Sequence, residues 1–277
     1  MRSMGLVNGE LVVVRGAGDL ATGTILRLVR AGFRVAALEQ PRPSSIRRTV
    51  CLSEAMYEGE AQVEGVRSIR VGTLAELKRL LERWGPEGPV PVLADPGCSA
   101  LGALTPLALV DAIIAKRNLG TNIDMAQIVV ALGPGFEAGV DAHAVVETNR
   151  GHDLGRIFLA GHAEPNTGAP GLIAGKGSER VLHSPVAGVA ENLAAIGDLV
   201  QAGMPVLRVA GAGSESLLRA EIDGVLRGLI RPEFQVHVGM KVGDVDPRAR
   251  REHCFTVSDK GRAIGGGVLE AILMLAR

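Results

Sequence analysis

Residues 11–39, LVVVRGAGDLATGTILRLVRAGFRVAALE, decide how the rest of the chain is read. Leu11–Arg15 is a short run, apolar until its last residue, as in a strand buried on both faces of a parallel sheet. Gly16 to Gly23 follows, then TILRLVRAG with apolar residues at helical spacing, then the buried strand RVAALE. Together they read as a βαβ beginning. Gly16, Gly18 and Ala21 fit G-x-G-x-x-G/A, and Glu39 stands where an acidic residue meets a ribose hydroxyl. The helix start at Asp19–Thr24 would turn its N–H groups toward a phosphate. Asp19 departs from that pattern, because an acid there repels an anion. It points to a bound metal or to a ligand other than a plain dinucleotide. The plainer alternative is a tight strand-to-helix turn that needs glycine only for its geometry.

The alternation continues outward. Leu74–Trp84 has helical periodicity, Pro91–Ala94 reads as a strand ending at Asp95, and Ile128–Leu132 as a strand running into Gly133-Pro134-Gly135. Ligands bind at the carboxyl ends of such strands, so Gly16–Ala21, Asp95–Cys98 and Gly133–Gly139 are expected on one edge. Residues 131–171 then set many ionisable and amide side chains beside many glycines, the composition of a site rather than of a packed core. Asp141, His143 and Glu147 are candidate metal ligands, although no standard zinc spacing is present. Arg150, His152 and Arg156 suit an anion, with Asn166 beside them. Cys98, after a strand end, is a candidate nucleophile or sulfur carrier if a helix N-terminus lowers its thiol pKa. Its plain alternative is a small buried residue.

Beyond Lys176 the character changes. SPVAGVAENL (184–193) and AEIDGVLRGL (220–229) align at an offset of 36, and Val200, Gly203-Met204 and Val206 match Val236, Gly239-Met240 and Val242. Two halves of short strands and glycine turns read as a barrel-sandwich of the biotinyl and lipoyl kind. The connection between the halves, Ala210–Ser216, has no lysine, and Lys241 is in the wrong turn. A swinging arm is therefore not supported. The expected fold class is α/β, a Rossmann-like parallel sheet over 1–176 plus a small all-β barrel-sandwich hybrid over 177–248. Residues 249–277 form a terminal strand, turn and helix packing back on the first domain.

Bulk properties narrow the classes. Lys+Arg and Asp+Glu both number 30, which argues against a dedicated nucleic-acid or anionic-membrane partner. Three cysteines far apart form no CxxC pair, and the start, MRSMGLVNGELVVVRG, lacks a signal peptide's apolar region. The expected location is cytoplasmic.

VVVRGAGDLATG, RRTVCLSEAMYEGE, ALGPGFEAGVDAHAVVETNRGHDLGR, PNTGAPG, KVGDVDPR and SDKGRAIGGGVLEAIL together resemble the selenium-dependent molybdenum hydroxylase system proteins, accessory proteins of YqeB type. The resemblance runs from about Val12 to Leu273. It implies an accessory or maturation role for a molybdenum hydroxylase, with the hydroxylase and its maturation proteins as partners. On this reading a molybdopterin-type cofactor or a nucleotide is held by Gly16, Gly18, Asp19, Ala21, Glu39, Gly133, Gly135, Arg150, His152 and Asn166. Asp141, His143 and Glu147 orient it or a metal. An NAD(P)-linked oxidoreductase and a non-catalytic scaffold that docks the hydroxylase are the alternatives. The oligomeric state stays open.

Overall fold

A computed structural model describes residues 9–85, 88–211 and 213–277. The opening residues 1–8, part of the stretch read above for a signal peptide, lie outside these. The chain divides into two compact units. The first comprises Met1–Pro43, Cys51–Thr167 and Val257–Arg277, the second Ser44–Val50 and Gly168–Thr256.

The first unit opens with β1 (Leu11–Arg15), α1 (Asp19–Arg30) and β2 (Arg34–Glu39). Then come α2 (Ala55–Glu58), β3 (Glu60–Val63), β4 (Val66–Val71), α3 (Leu74–Glu82), β5 (Val90–Ala94), α4 (Leu101–Leu104), β6 (Ala108–Asp111) and β7 (Ile128–Leu132). β8 (Glu137–Ala138), β9 (Ala144–Val146), β10 (Ile157–Phe158) and β11 (Gly161–His162) complete its strands, and α5 (Asp259–Leu275) ends the chain. Nine strands form one sheet in the order β10-β9-β7-β6-β1-β2-β5-β4-β3, and β8 pairs with β11 separately. β1 has β2 on one side and β6 on the other, both parallel to it. Its five residues are buried, as are β6 and β7, so apolar side chains face packing on both surfaces.

The expected fold class is corrected by this topology. The large sheet is mixed, with antiparallel strands at both edges, β3 on β4 and β10 on β9. The β3–β4 turn is Glu64-Gly65, with φ of 44° and 87°, the paired positive values of a tight hairpin. β3 carries exposed residues and lacks the apolar run that marked the inner strands. Nor is each parallel crossover a helix. Among the described residues, the passage from β6 to β7 has only the 3-10 turn Ile123–Met125. α5 supplies cover instead. A Cβ on Gly23 of α1 would stand 2.6 Å from the Gly261 carbonyl oxygen, and one on Gly265 would stand 2.7 Å from the Gly23 oxygen. The two helix backbones thus meet where only glycine fits.

The second unit, likewise, is not the small barrel-sandwich expected but a pair of antiparallel sheets with an inserted segment. Its strands are β12 (Val181–His183), β13 (Gly188–Asn192), β14 (Leu199–Val200), β15 (Pro205–Gly211), β16 (Ser214–Arg219), β17 (Gly224–Leu229), β18 (Gln235–Val236) and β19 (Lys241–Asp246). They form two four-stranded sheets, β12-β19-β17-β14 and β16-β15-β13-β18. Repeat-related strands, such as β13 and β17, lie in opposite sheets. Matched glycines do matched work: a Cβ on Gly188 would strike the Ala210 carbonyl, and one on Gly224 the Asp246 carbonyl. The core of this unit holds Val206, Leu207, Val209, Leu226, Leu229, Val242 and Val245. The segment Ser44–Val50 joins it through the Leu229 N–H, which donates to the Ile46 carbonyl at 2.8 Å.

Candidate functional site

The carboxyl edge of the large sheet carries a buried ionisable side chain at or just past five of its strand ends. β1 ends in Arg15, β2 in Glu39 and β6 in Asp111, while Asp95 and Glu147 follow β5 and β9 directly. All five are buried, and buried charge persists only where hydrogen bonds or a counter-charge replace water.

Arg15 is the centre of this arrangement. Its Nη1 donates to Asp111 Oδ2 at 3.2 Å and to Thr121 Oγ1 at 2.9 Å. Its Nη2 donates to the carbonyls of Pro96 and Leu119, both at 3.0 Å, and Nε donates to Pro96 at 3.3 Å. The five N–H groups of the guanidinium are thereby engaged with the ends of β5 and β6 and with the passage from β6 to β7. Thr121 completes the cluster by donating to Asp111 Oδ2 at 2.6 Å.

The carboxylates act on the loops that follow their strands. Glu39 accepts the Ala17 and Gln40 N–H groups, each at 2.7 Å. Burial pushes its pKa up, and these two bonds offset part of the rise. Asp95 accepts Ser99 N–H and Oγ at 3.0 and 2.9 Å and Ala100 N–H at 2.8 Å. Glu147 accepts Thr148 and Asn149 N–H at 2.6 Å and Glu164 N–H at 2.7 Å. Close backbone contacts lock the loops together. A Cβ on Gly16 (φ 103°) would lie 3.3 Å from the Ala112 oxygen, and one on Gly135 (φ 103°) would lie 2.5 Å from Arg117 Cα.

The remaining expected site residues are placed as follows. Gly18 is the N-cap of α1 and supplies no side-chain cap, Asp19 is its first residue and Ala21 a buried one. Gly133 (φ 75°) backs onto Thr148, where a Cβ would strike the side chain. Arg150 forks onto Asp259, Nη1 to Oδ2 at 2.6 Å and Nη2 to Oδ1 at 2.9 Å. His152 and Asn166 are exposed. Asp141 accepts Glu137 N–H at 2.8 Å and Asn118 Nδ2 at 3.3 Å, and His143 Nδ1 accepts Val129 N–H at 3.0 Å. With Glu147 occupied as described, Asp141, His143 and Glu147 each serve a different backbone segment. Among the described residues no group of three or more His, Cys, Asp or Glu side chains is arranged to hold a metal ion.

Cys98 lies in the Asp95 loop at φ 58° with its N–H on the Asp95 carbonyl at 3.1 Å. Burial, aided by Asp95 and Asp111 against the pull of Arg15, pushes its thiol up to about 11. A protonated thiol is a poor nucleophile. Arg15, Asp111 and Thr121 did not stand out in the sequence reading. The signal was there, since a single charged residue closes an apolar run in LVVVR and in ALVD.

No protein-family model matches the chain. An Escherichia coli (strain K12) protein described as the uncharacterized protein YqeB is 48% identical over 266 residues, 96% of this chain and 48% of that protein. The chain is a homologue of YqeB. It spans about half of YqeB's length. Solved structures with some likeness include a succinylglutamate desuccinylase/aspartoacylase from Rhodobacter sphaeroides, 14% identical with a TM-score of 0.28, 86% of each chain being covered. The ectoine utilization protein EutE from Ruegeria pomeroyi is 12% identical with a TM-score of 0.25, over 86% of this chain and 85% of that one. Scores so low carry no argument about fold or activity.

The functional expectations, a molybdenum hydroxylase accessory role and a nicotinamide oxidoreductase, are corrected here on the geometry of the Gly16–Glu39 segment. The nucleotide-binding reading of that segment goes with them. Both carboxylate oxygens of Glu39, expected on a ribose, hold backbone N–H groups of their own chain. The Arg150 fork, expected on a phosphate, is on Asp259. No helix among the described residues is long and apolar enough to cross a membrane.

Proposed function

We propose that the large-sheet unit is a small-molecule-binding module. Its ligand, a small carboxylate or phosphate compound, is taken up at the carboxyl ends of β1 and β6. The observation that carries this reading is the set of strand-end loops fastened by buried Arg15, Glu39, Asp95, Asp111 and Glu147. Buried charged groups are a costly way to hold loops that have no further use, whereas a preformed edge lowers the ordering cost of binding. β1 is also the strand at which the sheet order turns, with β2 to one side and β6 to the other. In open sheets of parallel strands, ligands enter at that turning point. There the α1 end lies beside the β6 loop, whose Lys116 and Arg117 are exposed cations.

The test is a thermal-shift screen of small carboxylates and phosphates, followed by calorimetric titration of the best compound. A ligand that binds only the folded state raises its stability. Lys116→Glu combined with Arg117→Glu is expected to weaken binding by about tenfold or more, the size of losing one hydrogen bond to a charged group. Unchanged affinity in that variant would overturn the assignment.

A further inference from the structure

In the second unit, β16 closes one side of its sheet. It pairs with β15 and ends the order β16-β15-β13-β18. An edge strand keeps a row of N–H and C=O groups turned away from its single neighbour, a template for another strand. The irregularity in this ladder lies on β15, between Pro205 and Leu207, so the run of β16 itself is regular. Its side chains alternate as the pleat requires. Leu218 enters the core of the unit, while Glu215, Leu217 and Arg219 stand exposed. Leu217 is 43% exposed, an aliphatic side chain in water on a strand with one open flank.

Edges are commonly defended by charges that a second copy would meet unfavourably. β16 carries a different pattern. Its exposed series is Glu215, Leu217, Arg219: acid, apolar, base at even spacing. Turned over by a two-fold axis through Leu217, the series meets itself. Glu215 then faces Arg219 of the second copy, Leu217 faces Leu217, and Arg219 faces Glu215. Facing opposite charges and facing apolar side chains are the pairs that stabilise antiparallel strands. An in-register parallel approach would set like charges side by side.

The present contacts of the two charged side chains leave room for this. Glu215 is 60% exposed and lies 3.8 Å from Arg208, which Glu191 already holds. Arg219 gives Nη1 to the Gly203 carbonyl at 2.8 Å, and its guanidinium has further N–H groups for a carboxylate.

We infer that β16 is the docking edge for a second copy of this chain, joined antiparallel about Leu217 so that two four-stranded sheets become one. The contact is isologous, each copy offering the same strand. It is small, so the dimer is weak and reversible, at the low end of interface sizes. The inference concerns the second unit alone and is independent of the ligand proposed for the first.

Sedimentation velocity on the full chain, at concentrations up to about 1 mM, reads the association. The parent is expected to shift from monomer toward dimer as concentration rises. Glu215→Arg and Arg219→Glu each set like charges face to face at both ends of the contact, and each is expected to weaken self-association about tenfold or more. Mixed in equal amounts, the two variants are expected to pair with one another as well as the parent does with itself, because every facing pair is again opposite in charge. That recovery also shows that neither variant is misfolded. Leu217→Lys, which puts two cations on the axis, is expected to weaken the parent dimer as well. A parent chain that stays monomeric throughout, a dimer that the single variants leave unchanged, or variants that fail to pair when mixed would overturn the inference.

Discussion

The two units bury most of their acidic side chains by different means, Asp111 on Arg15 being the exception in the first. In the first, Glu39, Asp95 and Glu147 sit at strand ends and accept backbone N–H groups of the loops that follow. In the second, Asp244 and Asp246 of β19 face guanidiniums. Asp244 takes Arg180 at 2.8 Å and Arg227 at 2.6 Å, and Asp246 takes Arg248 at 2.6 Å with Arg227 at 3.4 Å. A carboxylate on amides shapes a loop. A carboxylate between arginines ties strands together: Arg227 lies on β17, beside β19, and Arg180 just before β12. The comparison separates a sheet edge whose loops are held by carboxylates from a pair of antiparallel sheets tied by charge.

The sharpest way to break that contrast is to remove one carboxylate from each unit. Asp244→Ala leaves Arg180 and Arg227 buried without their shared partner and is expected to cost about 3–5 kcal/mol, read by chemical denaturation. Glu147→Ala leaves three loop amides to find other acceptors and is expected to cost less, about 1–3 kcal/mol. A larger loss at Glu147 than at Asp244 would reverse the comparison.

The pH dependence sharpens it further, because the two acids shift in opposite directions. Glu39 is raised from 4.5, chiefly by burial. Its contribution is fully present below the unfolded value and lost as pH rises through the higher folded value. Asp246 is lowered from 3.8, burial being outweighed by the Arg248 hydrogen bonds and the Arg227 charge. Its contribution is present above the unfolded value and lost as pH falls through the lower folded one. Denaturation across this acidic range should show Glu39→Gln removing a fall in stability above 4.5, and Asp246→Asn removing one below 3.8. The smallest expected effect is at Cys98: with its thiol near 11, alkylation of the folded protein at neutral pH should be slow. Mass spectrometry would show labelling that rises only on unfolding.

The legibility of these features in the sequence follows from how local their causes are. The inner strands β1, β2, β5 and β7 are readable as apolar runs, and the offset-36 repeat returns as corresponding strands in the two sheets of the second unit. β3 and β10 were not, because edge strands carry exposed or half-exposed residues and set no apolar run apart. The insertion of Ser44–Val50 into the second unit is a long-range event that no local pattern encodes. At the site, the glycines at 16, 133 and 135 were found because positive φ and close approach demand glycine. Glu39 and Arg150 are engaged within the chain. A sequence shows that a charge stands at a strand end or in a loop, but not whether its partner is a ligand, a backbone amide or a carboxylate more than a hundred residues away.

Amide hydrogen exchange tests the central claim most directly, since it reads the strand-end loops themselves. If buried carboxylates hold the carboxyl edge in place, the N–H groups of Ala17, Gln40, Ala100, Thr148, Asn149 and Glu164 should exchange slowly although they lie outside the ladders. Glu147→Ala should release the last three while leaving Ala17 and Gln40 protected. Exchange of all six at the rate of open loops in the parent chain would contradict the account.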